Sequence, residues 1–405
     1  MIKNVHIRDA RFPLSSGAGS DAIHRDPIYS YTVVELVDDS GIRSSGLAFT
    51  LGEGNDLVCR AAQFYADQLK GQDIEELMQD FGSWYNRLSN EQQFRWLGPH
   101  KGVVHLALAA VVNACFDLWA KKRGMPLWTL LTSLSPEQIV RTLDLSYLDE
   151  VLTVEEAIGL LHQPGREQRS AVLQTGYPGY DTSVGWFNYD DEKIREGCRR
   201  ALDEGFTAMK LKVGSADMDR DVRRAHLVRE VAGDDALVML DANQQWSLPK
   251  AMEVCGRLSS MRPYWIEEPT HPDDIRAHVT LAEHIAPIKL ALGEHVPNSV
   301  IFKNYLQSGC VGFLQPDAVR IGGVSEFITV SLLAKKFNVP VVPHVGDMGQ
   351  LHQHLVLFNH IAMGHEVVFL EHIPHLQQKF VHPVRIEGGK YQTPQEPGSS
   401  CDLKV

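Results

Sequence analysis

Short apolar runs alternate with amphipathic segments from about residue 176 onward, and seven of these runs end in an ionisable residue. Successive ends are 29, 26, 27, 23, 27 and 27 residues apart, which is the length of one strand, one helix and two short loops. A weaker run over residues 176–183 brings the count to eight, so the repeat predicts an α/β barrel. The seven ends are Lys212, Asp241, Glu267, Glu294, Asp317, His344 and Glu371.

The alternative to a closed barrel is a doubly wound open sheet. The chain disfavours it, because no G-x-G-x-x-G motif follows the first strand of the repeat. In a closed barrel, groups at the carboxyl ends of the parallel strands converge on one face. The repeat therefore predicts an active site on that face.

The first third of the chain lacks this repeat and is predicted to be α+β. Alternating apolar positions predict strands over residues 1–13, 31–37 and 46–50, and three- and four-residue steps predict a helix over 103–122. Residues 14–26 are rich in serine and glycine and are expected to form a mobile loop. The predicted organisation is an α+β domain over residues 1–139, a polar helical linker or insertion over 140–175, a barrel over 176–382 and a carboxyl-terminal segment over 383–405.

Composition and charge exclude several classes of protein. With 44% hydrophobic and 22% charged residues, the 405-residue chain is globular. Its 39 basic against 51 acidic residues give a net charge of −12 without a basic block, which disfavours binding to nucleic acid or to an anionic membrane. The start lacks the pattern of a signal peptide, and the six cysteines form no C-x-x-C pair. We therefore expect a cytoplasmic protein with buried thiols.

Three carboxylates end consecutive strands of the repeat, namely Asp241, Glu267 and Glu294. Like charges around one point repel one another unless a cation lies between them. Oxygen ligands with room for water and a substrate favour Mg²⁺. The alternative is that each carboxylate caps a helix or pairs with a lysine.

Candidate proton-transfer groups lie on the neighbouring strands. Lys210 and Lys212 are two residues apart on one strand, so both point to the same face and are expected to depress each other's pKa, as a lysine base requires. Asp317 and His344 end adjacent strands, and a carboxylate next to an imidazole orients the ring and raises its pKa. A zinc site of His344, His352 and His354 is disfavoured, because positions i and i+2 do not share a helix face.

The barrel motifs occur in a fixed order along the chain: K-L-K at 210–212, D-A-N-Q at 241–244, W-I-E-E-P at 265–269 and G-E at 293–294, then Asp317 and His344. This order resembles the mandelate racemase subgroup of the enolase superfamily, over nearly the whole chain. Within it, R-F-P at 11–13, G-S-D-A at 19–22, R-W-L-G-P at 95–99 and G-Y-P at 176–178 resemble L-fuconate dehydratases. Residues 345–353 depart from the glycine-richer segment of that group.

The resemblance implies an α+β capping domain, built from the amino-terminal part and the carboxyl-terminal tail, over a modified (β/α)8-type barrel. It also implies one Mg²⁺ per active site and dehydration of an L-fuconate-like sugar acid to its 2-keto-3-deoxy acid. By carry-over, the metal ligands are Asp241, Glu267 and Glu294. The catalytic residues are Lys212 as base, His344 as acid with Asp317 orienting it, and Lys210 and Glu371 next to the carboxylate and its enediolate.

Substrate choice is expected to depend on segments above the barrel, because loops carry specificity on a shared scaffold. The predicted substrate-binding residues are Asp21, His24, Asn243 and Asp347. The predicted partners are a small sugar acid and further copies of the chain in a homo-oligomer.

Other functions remain open at this point. A racemase or epimerase would use Lys212 and His344 on opposite faces of the substrate. A non-catalytic barrel is disfavoured by the complete set of ionisable strand ends, and a zinc amidohydrolase by the lack of H-x-H on the first strand.

Overall fold

A three-stranded antiparallel sheet opens the computed structural model, which describes residues 1–404. Its strands pair in the order β1 (Ile2–Pro13), β2 (Ile28–Asp38) and β3 (Arg43–Thr50). All three predicted strands are confirmed, and the second and third begin three residues earlier than predicted. Helices α1 (Asn55–Asp67) and α4 (Gly102–Lys122) cover one face of the sheet. The remaining helices of this region are α2 (Ile74–Leu77), α3 (Phe81–Ser89), α5 (Leu127–Ser133) and α6 (Pro136–Val140).

Helix α4 is the central helix of this amino-terminal domain and confirms the predicted helix. It is long and apolar enough to cross a membrane by length and composition alone, but 89% of its most apolar window is buried inside the structure. It packs closely on β3 at Gly46, where an added Cβ would lie 2.0 Å from the Ala110 carbonyl oxygen and 2.2 Å from the Ala114 nitrogen. Only a residue without a side chain permits this approach of strand and helix.

The second half of the chain forms the predicted barrel. Seven strands are parallel, and the last of them pairs with the first. The strands are β4 (Tyr177–Gly185), β5 (Ala208–Lys212), β6 (Leu237–Asp241), β7 (Trp265–Glu267), β8 (Lys289–Leu292), β9 (Val311–Leu314) and β10 (Leu370–His372). The helices between them are α10 (Asp191–Asp203), α11 (Met218–Ala232), α12 (Leu248–Leu258), α13 (Ile275–Ile285), α14 (Ser299–Ser308), α15 (Gly323–Lys336) and α16 (Leu351–Met363).

The strand predicted over residues 339–344 is reduced to a single bridge between Val341 and Leu314. Two backbone hydrogen bonds hold it, from Leu314 to the Pro340 carbonyl and from Val342 to the Leu314 carbonyl. Pro340 and Pro343 flank this point, and a proline has no N–H to donate to a longer ladder. The segment still occupies the seventh position of the barrel, so the architecture is a modified α/β barrel with an amino-terminal cap.

The remaining segments connect the two parts. The region predicted as a linker contains three short helices, α7 (Val154–Leu161), α8 (Arg166–Arg169) and α9 (Val172–Thr175). The tail forms a hairpin of β11 (Ile386–Glu387) and β12 (Lys390–Tyr391), and β12 pairs antiparallel with β4. Beyond the hairpin the tail reaches the cap, where Ser399 donates to Asp117 and Lys121 pairs with Asp402 at 2.6 Å.

We expect Gly46→Ala to lower the free energy of unfolding by about 1–3 kcal/mol or more, because the new methyl group overlaps the backbone of α4. Urea denaturation measures the change. The matched control is Gly256→Ala in α12, where the added Cβ meets no atom within 4 Å. It should raise stability by about 0.5–1 kcal/mol, since alanine favours helix over glycine. Equal behaviour of the two variants would contradict the packing argument.

Candidate active site

A cavity lies where the carboxyl ends of the barrel strands meet the cap. The barrel contributes predicted catalytic and metal-binding side chains, and the loop after β1 contributes Asp21 and His24. The cavity is therefore built by both domains. Its polar lining consists of Asp21, His24, Tyr29, Trp186, Lys212, Asn243, Glu294, His295, Arg320, His344 and Glu371.

Lys210 and Lys212 both lie on β5 and point into the barrel, as predicted. Lys210 is fully buried below the cavity, with its Nζ 2.7 Å from Glu267, 2.8 Å from Glu371 and 3.6 Å from Asp241. Lys212 lines the cavity and its Nζ lies 2.5 Å from Asp241 Oδ2. Asp241 Oδ2 therefore lies close to both ammonium groups.

The predicted lowering of the lysine pKa is wrong for this arrangement. Burial and the neighbouring Lys210 both lower the pKa of Lys212, but Asp241 and Glu294 raise it more. Burial also lowers the pKa of Lys210, and Glu267 and Glu371 reverse that effect, so both lysines stay protonated. The carboxylates that surround the pair outweigh the repulsion between its two charges.

The three predicted metal ligands lie on neighbouring strands but do not form one tight group. Asp241 and Glu267 are paired in register across β6 and β7, and both reach Lys210. Glu294 follows β8 and its Oε2 lies 2.9 Å from His344 Nε2. Burial together with Asp241 outweighs Lys210 and raises the pKa of Glu267 to about 8. Each carboxylate thus has a cationic neighbour, and the assignment to a metal stays a prediction.

Within the described residues, the group whose ligand atoms do lie within 4.8 Å of one another is Glu268, Glu294 and His295. His295 Nδ1 is 3.0 Å from Glu268 and 3.1 Å from Glu294. Burial lowers the pKa of His295, but these two carboxylates raise it to about 9. Within this group, His295 therefore forms ion pairs with both carboxylates.

His344 and Asp317 form the expected pair. His344 Nδ1 lies 2.6 Å from Asp317 Oδ2, and the fully buried carboxylate also accepts the backbone N–H of Gly346 at 3.1 Å. A Cβ on Gly346 would lie 2.4 Å from Asp317 Oδ2, so this approach needs glycine. Burial lowers the pKa of His344, but Glu294 and Asp317 raise it well above the usual value, as predicted. The imidazole is therefore protonated at neutral pH.

Similarity to known proteins shows the family of this chain. The model of the family described as "Enolase C-terminal domain-like" matches residues 193–404, which is more than half of the chain. The chain belongs to the enolase superfamily. It is 42% identical to mitochondrial enolase superfamily member 1 from Homo sapiens, over 100% of this chain and 94% of that protein. The crystal structure of that human protein aligns with a TM-score of 0.96.

Two further relatives of this enolase superfamily member are named for reactions. L-galactonate dehydratase from Hypocrea jecorina is 41% identical, over 98% of this chain and 90% of that protein. The structure of L-talarate/galactarate dehydratase from Salmonella typhimurium, with Mg and L-lyxarohydroxamate, aligns at a TM-score of 0.80 over 100% of this chain and 90% of its own. At 24% identity the latter supports the fold alone.

The predicted substrate-binding residues of this superfamily member divide into two sets. Asp21, His24 and Asn243 line the cavity, and Asp21 Oδ2 lies 2.9 Å from His24 Nδ1. Asp347 is fully buried and does not line it. Its Oδ2 accepts the N–H groups of Gly349 and Leu351 at the start of α16, which explains why this loop residue is unavailable to a substrate.

The zinc alternative is also wrong. His352 and His354 both lie on α16 but contact different parts of the structure. His352 Nδ1 lies 2.5 Å from Asp347, whereas His354 Nδ1 accepts the backbone N–H of Trp128 at 3.2 Å. The two rings therefore do not converge with His344 on a common metal.

Sequence inspection missed four polar cavity residues, namely Tyr29, Trp186, His295 and Arg320. Trp186 directly follows β4, the one strand without an ionisable end, and its buried indole N–H has no partner among the described residues. Tyr29 comes from the cap strand β2, which no barrel repeat could reveal. Arg320 follows Asp317 by three residues in a tight turn before α15. The position of Trp186 next to a strand end was the one usable signal.

We expect Asp317→Asn to lower the pKa of His344, because the change removes a carboxylate that stabilises the imidazolium. The ring then loses its proton at lower pH than in the unmodified, metal-free protein. NMR titration of labelled histidine measures the shift. The control is Asp181→Asn, a buried barrel carboxylate that bonds Ser183 and Arg200 instead. A His344 titration that does not move in Asp317→Asn would contradict the assigned cause.

Proposed function

We propose that this chain is an acid-sugar dehydratase, a hydro-lyase that converts an aldonate to its 2-keto-3-deoxy acid with Mg²⁺ as cofactor. The observation that carries the proposal is the presence of Lys212 and the Asp317-supported His344 in the lining of one cavity. The superfamily relation and the named relatives support a proton abstraction next to a carboxylate. Dehydration of this kind needs one group that accepts the α-proton and another that protonates the leaving hydroxyl.

Lys212 is the proposed base. Its Nζ reaches the cavity from the end of β5 and is the only lysine nitrogen in the described lining. Asp241 holds the ammonium at 2.5 Å in the present arrangement, so proton abstraction requires that this carboxylate be engaged elsewhere. A cation bound to Asp241 has this effect, which couples the base to the metal site.

His344 is the proposed acid. Its raised pKa keeps the ring protonated at neutral pH, and its Nε2 side faces the cavity lining next to Glu294. Asp317 holds the Nδ1 side, so the ring presents Nε2 in a fixed orientation. A protonated and oriented imidazole can donate its proton to a departing 3-hydroxyl.

The residues present fit a magnesium ion. Asp241, Glu267 and Glu294 offer only carboxylate oxygens, which are the ligands that Mg²⁺ prefers, and all three are buried at adjacent strand ends. When bound, the metal supplies Lewis-acid stabilisation of the negative charge that develops on the substrate carboxylate. Lys210 and Glu371 remain proposed contacts of that carboxylate region, with Lys210 acting from below the cavity.

The proposed substrate is an L-fuconate-like aldonate. L-fuconate is the 6-deoxy form of L-galactonate, and a relative at 41% identity is named L-galactonate dehydratase. Arg320 also lines the cavity and is a proposed contact for distal oxygens of the substrate. The cytoplasmic location and the homo-oligomer expected from the sequence belong to this proposal.

An epimerase on the same scaffold is the second candidate, because Lys212 and His344 line one cavity and can exchange protons with the two faces of a substrate. It differs from the dehydratase in its product. An epimerase returns a sugar acid with an inverted carbon, whereas a dehydratase forms a 2-keto acid.

The test is a screen of the purified protein with Mg²⁺ against hexonates, 6-deoxyhexonates, pentonates and aldarates. We expect 2-keto acid from L-galactonate or L-fuconate, and no turnover after chelation or in Asp241→Asn. NMR of the products separates dehydration from epimerisation. Full turnover after exhaustive chelation would contradict the metal assignment, and an epimer without 2-keto acid would favour the second candidate.

The roles of the two proton-transfer groups predict different partial reactions. Lys212→Ala and His344→Asn should both abolish dehydration, but only His344→Asn should retain exchange of the substrate α-proton with D₂O. The reason is that exchange needs the base and the metal, and elimination needs the acid as well. NMR in D₂O follows both processes. Exchange that survives only in Lys212→Ala would assign the base to His344.

The loop after β1, which contains Asp21 and His24, is predicted to bind the distal end of the substrate. Asp21→Ala and His24→Ala should reduce kcat/KM for L-galactonate at least about tenfold more than for L-fuconate, because a site that pairs with a hydroxyl loses most for the hydroxylated substrate. Asp26→Ala is the matched control, since Asp26 is exposed in the same loop and does not line the cavity. Equal losses for both substrates would show that the loop does not set this choice.

A further inference from the structure

A second imidazole and carboxylate continue the His344–Asp317 pair into the protein interior. His352 Nε2 lies 3.1 Å from Asp317 Oδ1, and His352 Nδ1 lies 2.5 Å from Asp347 Oδ1. Asp317, Asp347 and His352 are all fully buried. The contacts therefore form one row in the order His344, Asp317, His352, Asp347.

The inner members of this row are themselves fixed. Asp347 accepts two backbone N–H groups at the start of α16, and Tyr31 from the cap donates to its carbonyl oxygen at 2.8 Å. The His352 ring packs edge to face against Phe327 of α15. The row thus ends on a helix terminus that is held from both the barrel and the cap.

His352 connects this anchor to the backbone that follows Asp317 or to the Asp317 carboxylate, depending on the protonation state of its ring. Nδ1–H donates to Asp347 in both. In the neutral ring, Nε2 accepts the backbone N–H of Ala318 at 2.9 Å and so fixes the backbone that follows Asp317. In the protonated ring, Nε2–H donates to Asp317 Oδ1. Burial lowers the pKa of His352, while Asp347 and Asp317 raise it to about 9.

We propose that His352, anchored by Asp347, is a positioning residue that holds Asp317 in the orientation in which its Oδ2 binds His344. It does not touch the cavity. The inference rests on the proposed function, in which His344 acts as the acid. Loss of an orienting contact of this kind should slow the protonation of the leaving hydroxyl by His344. It should not affect abstraction of the α-proton by Lys212.

The first variant is His352→Phe, which keeps the ring but removes both nitrogens. We expect kcat for dehydration to fall about 10–100-fold, the usual effect of removing such a supporting contact, with KM nearly unchanged. Exchange of the α-proton with D₂O should stay within about threefold of the unmodified protein, because Lys212 is untouched. The amide of His352→Gln can bond to Asp347 and to residues 317–318, so this variant should recover part of kcat. It replaces His352→Phe as the test variant if His352→Phe does not fold.

The matched control is His354→Phe. His354 is equally buried on the same helix, but it bonds to Trp128 and not to the row. A loss of packing alone should affect both variants alike and reduce exchange together with dehydration. Equal effects in His354→Phe and His352→Phe, a parallel loss of exchange, or an unchanged kcat would each overturn the proposal.

Crystal structures of the variants provide a readout that does not depend on activity. In His352→Phe, the 2.6 Å contact between Asp317 Oδ2 and His344 Nδ1 should lengthen or break, and it should persist in His354→Phe. If the unmodified protein does not dehydrate sugar acids, the proposed function fails. The crystal structures still test whether His352 positions Asp317, because they do not depend on activity. An unchanged contact in His352→Phe would overturn that role.

Discussion

The ammonium group of Lys210 is the interaction on which the centre of the barrel depends. It is completely buried and contacts Glu267 at 2.7 Å and Glu371 at 2.8 Å, with Asp241 at 3.6 Å. These carboxylates lie on β6, β7 and β10, so one cation connects the second strand of the barrel to three others, including the strand that closes it. Removing one partner of such a buried group leaves an uncompensated charge, which typically costs about 3–5 kcal/mol.

The chemistry above this layer follows from the same balance of charge. Neighbouring carboxylates raise the pKa of Lys212 and of His344, and burial together with Asp241 raises the pKa of Glu267 to about 8. The same carboxylates, Asp241, Glu267 and Glu294, are the proposed ligands of the metal. In that proposal Asp241 would serve either the metal or Lys212, which couples the proposed base to the metal site.

Several parts of the site could be predicted from the sequence because they obey a simple geometric rule. Parallel strands in a closed sheet bring their carboxyl ends to one face, so the spacing of Lys212, Glu294 and His344 is enough to place them in one cavity. The seventh barrel position was predicted as a strand because residues 339–344 are apolar, yet Pro340 and Pro343 reduce it to one bridge. An apolar run predicts that a segment is buried. It does not predict how many of its backbone N–H groups can form hydrogen bonds with a neighbouring strand.

The sequence by itself determined the barrel, the cap and the order of the ionisable groups around the site, because these follow from periodicity and from residue type. Only the tertiary structure decided what each group contacts. It placed Asp347 under α16 instead of in the cavity, put His352 between two carboxylates, and brought Trp186 and Tyr29 to the site from different domains. Side-chain direction and pKa depend on neighbours that are distant along the chain, and no local pattern contains that information.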